Sequence, residues 1–297
     1  MKLGFIGFIY TPPDEITEPL AQLEWQITRA AELGCSVFHP TVAIPRDKAS
    51  LGRLKDLLAR THVELEIPAP RETFALDGPD AKSARAAVES AIDLAKTLGS
   101  TIMRNGYGKL NVETSRFNRK RPIKEHLAFL VRNLKAAAAI CESHGVSYAL
   151  ENHCDFNGRE FAEVFDAVGS RFVGSALDTG NGYTVYWDPN DDVEALAQYA
   201  ITTHIKDMKV IDYASDLGLI PYQARGCAVG DGNVDIPRVI DLLEQRAPHA
   251  EGLHLVVEQG WLDYAPGIDP KVQDKQAVEK GLAYLRTLIQ PRGGSKS

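Results

Sequence analysis

The sequence has no apolar run approaching the ~18 residues that a bilayer-spanning helix needs, so a membrane partner is not expected. It also lacks an excess of positive charge. Thirty-three Lys and Arg stand against 40 Asp and Glu, a net charge of −7. A chain that grips phosphate backbones carries the opposite balance, so nucleic acid is not an expected partner either. Cysteine is scarce and unpatterned: Cys35, Cys141, Cys154 and Cys227 show neither paired nor metal-type spacing. Free thiols in a reducing, cytoplasmic setting are the expectation. The first nine residues hold one basic side chain and no small-residue cleavage site, and Pro12-Pro13 follows soon after. They read as a strand and not as a signal peptide. No glycine-rich phosphate turn comes after that strand, which argues against a doubly wound dinucleotide fold. What is present is 44% hydrophobic and 25% charged residues over 297 positions, enough apolar material for a large core and too much for a disordered chain.

One rhythm repeats along the chain. A short run rich in Val, Ile and Phe leads through polar residues into a longer stretch with apolar positions three and four apart, the periods of a strand and a helix. The spacing predicts strands over 3–9, 36–40, 63–67, 101–104, 146–151, 172–178, 201–207 and 253–258. It predicts helices over 16–33, 48–60, 81–98, 123–143, 160–168, 193–200, 237–245 and 272–289. Gly34, Gly99, Gly145 and Gly169 stand where helices would stop, since glycine closes a helix cheaply in the left-handed conformation. Eight alternations argue for a single (β/α)8 TIM barrel over 1–290, with 291–297 as a disordered tail. The connections 105–122 and 208–236 exceed ordinary strand-to-helix turns of about 2–6 residues. Both fall on the C-terminal face, so both are candidate lids.

The chemistry gathers at the ends of the last four strands. They close on Leu150-Glu151-Asn152-His153, Leu177-Asp178-Thr179-Gly180-Asn181, Thr203-His204-Ile205-Lys206-Asp207 and Val257-Glu258. Adjacent strands lie under ~5 Å apart, so Glu151, Asp178, His204 and Glu258 can converge. Crowded carboxylates repel one another, and a divalent cation resolves the repulsion. Three oxygen donors and one imidazole suit Mn²⁺ best, with Mg²⁺ or Co²⁺ as alternatives.

These motifs, with Gly230-Asp231-Gly232-Asn233-Val234-Asp235, resemble the sugar phosphate isomerase/epimerase family, the xylose isomerase-like TIM barrels that include the type 2 apurinic endonucleases. The resemblance covers nearly the whole chain and is strongest over 146–258. It implies that Glu151, Asp178, His204 and Glu258 bind one metal and that Glu151 and Glu258 form the acid/base pair. It implies an isomerase or epimerase of a sugar or keto-polyol, working by proton abstraction beside a metal-polarised carbonyl, and a dimer or tetramer as the expected homo-oligomer. One position departs from the family. Many of its sugar epimerases carry His three residues after the strand-six aspartate, where this chain has Asn181. An amide can still reach a sugar oxygen but does not titrate near neutrality. That departure keeps open a lyase on the same site: a keto-sugar or inosose dehydratase, or a C-glycoside deglycosidase acting on a 3-oxo-glycoside. The endonuclease reading would need several more clustered histidines.

Other candidates are His153, two positions beyond Glu151 and so on the same face of an extended chain, as a further base. Arg225, in the long seventh connection, resembles the family's substrate-binding arginine; it, Lys206, Asn181 and His39 are candidate substrate contacts, and Lys206 could instead pair with Asp207. Glu66 could touch a sugar hydroxyl. The basic run Arg116 to Arg121 could meet a phosphate, and Tyr183, Tyr186 and Trp187 could wall the site or a subunit contact.

Overall fold

The computed structural model describes residues 1–108, 111–212, 222–260 and 262–289. The expected tail lies outside them, as do parts of both long connections. Strands and helices alternate: β1 (Lys2–Ile6), α1 (Pro19–Glu32), β2 (Val37–His39), α2 (Lys48–Thr61), β3 (Glu64–Leu65), β4 (Ile67–Pro68), α3 (Ala81–Leu98), β5 (Ile102–Gly106), α4 (Ile123–His144), β6 (Ser147–Glu151), α5 (Gly158–Val168), β7 (Val173–Asp178), α6 (Pro189–Leu196), β8 (Ala200–Ile205), β9 (Asp207–Asp212), β10 (Tyr222–Cys227), α7 (Ile236–Arg246), β11 (His254–Val257) and α8 (Pro270–Ile289).

Nine of these strands form one sheet in the order β3-β2-β1-β11-β8-β7-β6-β5-β4, every neighbouring pair parallel. Its two ends, β3 and β4, are separated only by Glu66. The sheet therefore curls into a nearly closed parallel barrel of eight staves with eight helices, a TIM barrel, as the periodicity predicts. The third stave is the exception to a uniform ring. It breaks at Glu66, with β3 paired to β2 and β4 to β5.

Alternation sorts the strand side chains. Phe5, Phe38, Met103, Leu150, Leu177, Ile205 and Leu255 are buried, as are Leu23, Ile27, Leu54, Ile92, Leu134, Phe161, Ile240 and Leu282 of the surrounding helices. Each such side chain stabilises the fold by about 1.5–3 kcal/mol. Close packing also restricts residue choice: a Cβ on Gly4 of β1 would stand 2.3 Å from the Val37 carbonyl oxygen of β2. Gly99 and Gly145 end α3 and α4 in the left-handed conformation, at φ of 75° and 68°.

The seventh connection differs from the expected loop. β8 ends at Ile205, two residues early, and the chain turns at once into an antiparallel ribbon, β9 with β10. Asp207 causes much of this. Its carboxylate accepts backbone N–H groups of Met208, Gly230, Gly232 and Val234 at 2.9, 2.9, 2.9 and 3.1 Å. It pins the Gly230–Val234 segment against the barrel rim and is not the partner of Lys206. Gly226 of β10 lets the ribbon lie against the chain after β11, because a Cβ there would meet the Gly260 carbonyl oxygen at 1.9 Å. Among the described residues no helix is long and apolar enough to cross a membrane.

Candidate metal centre

Each ligating candidate sits at or beside the C-terminal end of its strand: Glu151 ends β6, Asp178 ends β7, His204 is next to last in β8 and Glu258 directly follows β11. The strand order β11-β8-β7-β6 makes these four consecutive staves. Side-chain latches hold neighbouring ends in register. Asn152 donates to the Asp178 carbonyl at 2.8 Å and accepts from the Asp178 amide at 2.7 Å, which locks β6 to β7. The Thr179 hydroxyl donates to the Lys206 carbonyl at 2.7 Å and accepts from the Lys206 amide at 2.8 Å, which locks β7 to the end of β8. The Glu258 amide donates to the Ile205 carbonyl at 3.1 Å.

The result is one buried cluster. Glu151, Asp178, His204 and Glu258 each offer a ligand atom, and these atoms lie within 4.8 Å of one another. His204 turns Nδ1 toward Glu258 in direct contact, with Glu151 Oε1 at 3.6 Å and Asp178 Oδ2 at 3.8 Å. Its Nε2 faces His39 Nδ1 at 3.2 Å, the two rings stacked. Asp178 is oriented by its own turn, where Oδ1 accepts the amides of Gly180 and Asn181 at 2.8 and 2.9 Å. Its Oδ2 is fully buried and accepts no well-formed hydrogen bond, although Lys206 Nζ stands 2.9 Å away. A buried carboxylate oxygen left in that condition, beside two more carboxylates and an imidazole nitrogen, fits the donor set of a hard divalent cation. The cluster suggests a divalent metal.

Two buried cations attend the carboxylates. Lys206 Nζ lies 2.6 Å from Glu258 Oε1 and 3.1 Å from Asn181 Oδ1. Arg104 NH2 donates to Glu151 Oε2 at 3.0 Å and stands 3.0 Å from His204 Nδ1. These charges set the protonation states. Burial by itself would raise Glu151 and Glu258, but His204 with Arg104 holds the first, and His204 with Lys206 the second, well below the usual carboxylate range. Asp178 moves up, because burial outweighs the Lys206 ammonium and Glu258 and Glu151 add repulsion. Burial and Arg104 pull His204 down, and Glu258 and Glu151 overcome them to bring it up to about 9. Burial, then the Arg104 and His204 charges, push His39 down to about 3, so it is neutral against His204.

The other expected residues divide. Asn181 reaches the cluster, its Nδ2 donating to Glu151 Oε1 at 3.3 Å. His39 and Lys206 reach it as described. His153 packs its ring against Gly106, where a Cβ would be 3.3 Å from it, and it lies near enough to Glu151 to lower that carboxyl electrostatically. Arg225 is not brought to the cluster. It lies on β10 in a cleft of about 620 Å³ lined also by Lys209, Cys227, Asp231 and Lys280. Tyr183, Tyr186 and Trp187 line a different cleft, of about 830 Å³, with Met208, Val210 and Tyr222 of the ribbon. Arg116 pairs with Glu160 at 3.2 Å.

Beneath the cluster is a feature the sequence reading passed over. Arg104 NH1 lies 3.4 Å from Glu66 Oε2, and Glu66 Oε1 takes a hydrogen bond from the Thr202 hydroxyl and stands 2.8 Å from His254 Nδ1. His254 Nε2 is 3.3 Å from Glu64, which also pairs with Lys2. Glu66 is thus fully buried inside the barrel and not at a position to touch substrate. Alternation carried the signal: Arg104 follows Ile102 by two positions, and His254 precedes Glu258 by four.

This chain of charges makes stability depend on pH. Burial pulls His254 down, yet the hydrogen bonds to Glu64 and Glu66 bring it up to about 9 from an ordinary 6.5. A raised pKa means that the folded state holds its proton more tightly. Its stabilisation is complete below pH 6.5 and disappears as pH rises through 9. Urea unfolding at pH 6.5 and 9.5 is expected to show a loss in the wild type that exceeds the loss in His254→Gln by on the order of 2 kcal/mol. An equal loss in the variant contradicts the assignment.

A parallel barrel that holds three carboxylates and a histidine at the C-terminal ends of adjacent strands defines a class, the metal-dependent TIM-barrel enzymes. The chain belongs to the xylose isomerase-like TIM barrel family, whose profile matches residues 27–288. It resembles a 3-oxo-isoapionate decarboxylase of Pectobacterium atrosepticum, with 27% identity over 148 residues, 49% of this chain. The match spans about half, 51%, of that relative's length. Two solved structures share the fold. The D-psicose 3-epimerase of Clostridium cellulolyticum H10, solved with D-tagatose, is 16% identical with a TM-score of 0.69, covering 98% of this chain and 100% of its own. A xylose isomerase-like TIM barrel protein of Mycobacterium smegmatis, solved with magnesium, is 16% identical with a TM-score of 0.68, covering 97% and 98%.

Proposed function

We propose that this protein is a divalent-metal-dependent isomerase or epimerase of a sugar or keto-polyol. The observation that carries the reading is the placement of Glu151 and Glu258 at the two ends of the four-residue arc, with Asp178 and His204 between them. Glu151, Asp178, His204 and Glu258 would hold the ion, Mn²⁺ most naturally for this donor set, with Mg²⁺ or Co²⁺ also suited. Such an ion supplies Lewis acidity, polarising a carbonyl and acidifying the neighbouring C–H. One ionised glutamate would remove that proton from one face, and the other, protonated from solvent, would deliver its own proton to the adjacent carbon or to the opposite face. Arg104 keeps Glu151 ionised and ready to accept. Asn181, beside Glu151 and Lys206, holds a donor where a substrate oxygen would lie.

A second reading has its own support. Lys206 is a fixed cation among the ligands, suited to a substrate that brings a carboxylate, and the Pectobacterium relative is named for decarboxylation of an oxo acid. Loss of CO₂ from a 3-oxo acid leaves the bonding electron pair on the adjacent carbon as an enolate, and a protonated glutamate supplies the proton that completes the product. It is a lyase, as are the dehydratase and deglycosidase alternatives, although of another bond.

One experiment separates these readings. The Mn²⁺-loaded protein is incubated in D₂O with ketoses, inososes, 3-oxo-glycosides and 3-oxo sugar acids. Deuterium entering a product isomeric with its substrate is the expected result. Release of CO₂ assigns the decarboxylase, and loss of water or of an aglycone assigns the other lyases. The absence of both exchange and release with every compound overturns the proposal.

A further inference from the structure

We infer that Arg104 is a positioning residue, held by an ionic column inside the barrel so that it presents one chosen oxygen of Glu151 to the metal centre. The inference rests on the metal-centre reading above. The column begins at the N-terminal mouth, where Lys2 and Glu64 border a cleft of about 340 Å³ with His254. It rises through His254 and Glu66 to Arg104 and ends on Glu151 and His204. Arg104, Glu66, Thr202 and His254 are 1%, 0%, 0% and 4% exposed.

Barrel interiors are ordinarily filled by layers of branched aliphatic side chains. A buried ionic set adds little stability over an apolar one of the same volume, and replacing it whole is often neutral or stabilising. Stability therefore does not account for a column of charges in this place, whereas its upper terminus does: it stops on two of the four ligating side chains. The guanidinium is planar with fixed donors, so a group anchored by Glu66 through NH1 points NH2 in a set direction. It takes Glu151 Oε2, leaving Oε1 on the side of His204 and Asn181. Because arginine does not give up its proton, the column acts by geometry and not as a proton wire. Thr202 and His254 hold Glu66 in turn.

The test is Mn²⁺ binding, read by calorimetry and by the electron paramagnetic resonance of the bound ion, alongside the melting temperature of the metal-free protein. Arg104→Met together with Glu66→Gln removes one positive and one negative charge, and the new amide still bonds Thr202 and His254. This double variant is expected to melt within a few degrees of wild type or above it. It should bind Mn²⁺ about tenfold more weakly or worse, with an altered resonance, in line with the loss of groups that orient metal ligands. Arg104→Lys keeps the charge and gives up the fork, and is expected to weaken binding about threefold or more; it carries the test should the double variant fail to fold. Wild-type affinity and resonance in the variants overturn the inference, as does a fall in affinity matched by a fall in melting temperature. A wild type that binds no Mn²⁺ overturns the metal-centre reading itself, a different result from a variant that binds normally.

Discussion

Asp178→Asn is expected to weaken Mn²⁺ binding by roughly three orders of magnitude, equivalent to about 4 kcal/mol, and to abolish turnover. The size of the effect follows from the geometry of one turn. Oδ1 of Asp178 accepts two backbone N–H groups, from Gly180 and Asn181. An asparagine must place its oxygen there, since its NH₂ would otherwise face two donors. The NH₂ is then forced into the position of Oδ2, the buried oxygen turned toward His204 and Lys206. A donor group replaces a ligand atom, and the residue cannot escape by flipping. Isothermal titration with Mn²⁺, together with circular dichroism to confirm the fold, checks the result. Binding within tenfold of wild type would remove Asp178 from the ligand set.

The second large effect separates the two glutamates. Glu151→Gln and Glu258→Gln are each expected to reduce turnover about 10²–10⁴-fold, the contribution of a positioned acid or base, on whichever substrate the exchange assay identifies. The variants should differ in what survives. Loss of the residue that first removes the proton stops both deuterium wash-in and product. Loss of the residue that delivers the second proton stops product while wash-in into recovered substrate continues. The contacts of the two carboxylates already differ: Glu151 is held by Arg104 and Asn181, Glu258 by Lys206 and His204. Near-wild-type turnover in both variants excludes the acid/base pair, whatever the metal does.

Much of this architecture could be read along the chain. Eight strands and eight helices follow the alternation of periods 2 and 3.6, and the parallel barrel is the arrangement that buries every stave on both faces. Boundaries drifted where local signals were weak. The first helix begins at Pro19, not at 16, and the strand expected over 201–207 ends at Ile205, because Asp207 is drawn away to the amides of 230–234. The pairing of Lys206 with Asp207 fails for the same reason: two consecutive residues face opposite ways, Lys206 toward Asp178 and Glu258, Asp207 toward the loop. Arg225 was matched by motif within a long connection, and the ribbon carries it to another cleft.

By itself the sequence determined that four side chains able to ligate a metal stand at four successive strand ends, since position along a strand is local information that a period of two reports directly. Only the tertiary structure decided what lies beneath them. Glu66 meets Arg104 across 38 positions and His254 across 188, contacts that exist because the ring nearly closes at the break in its third stave. A one-dimensional pattern says which side chains face the barrel interior. Which of them touch depends on the curvature and register that bring the third, fourth and eighth staves together, and those are properties of the curled sheet.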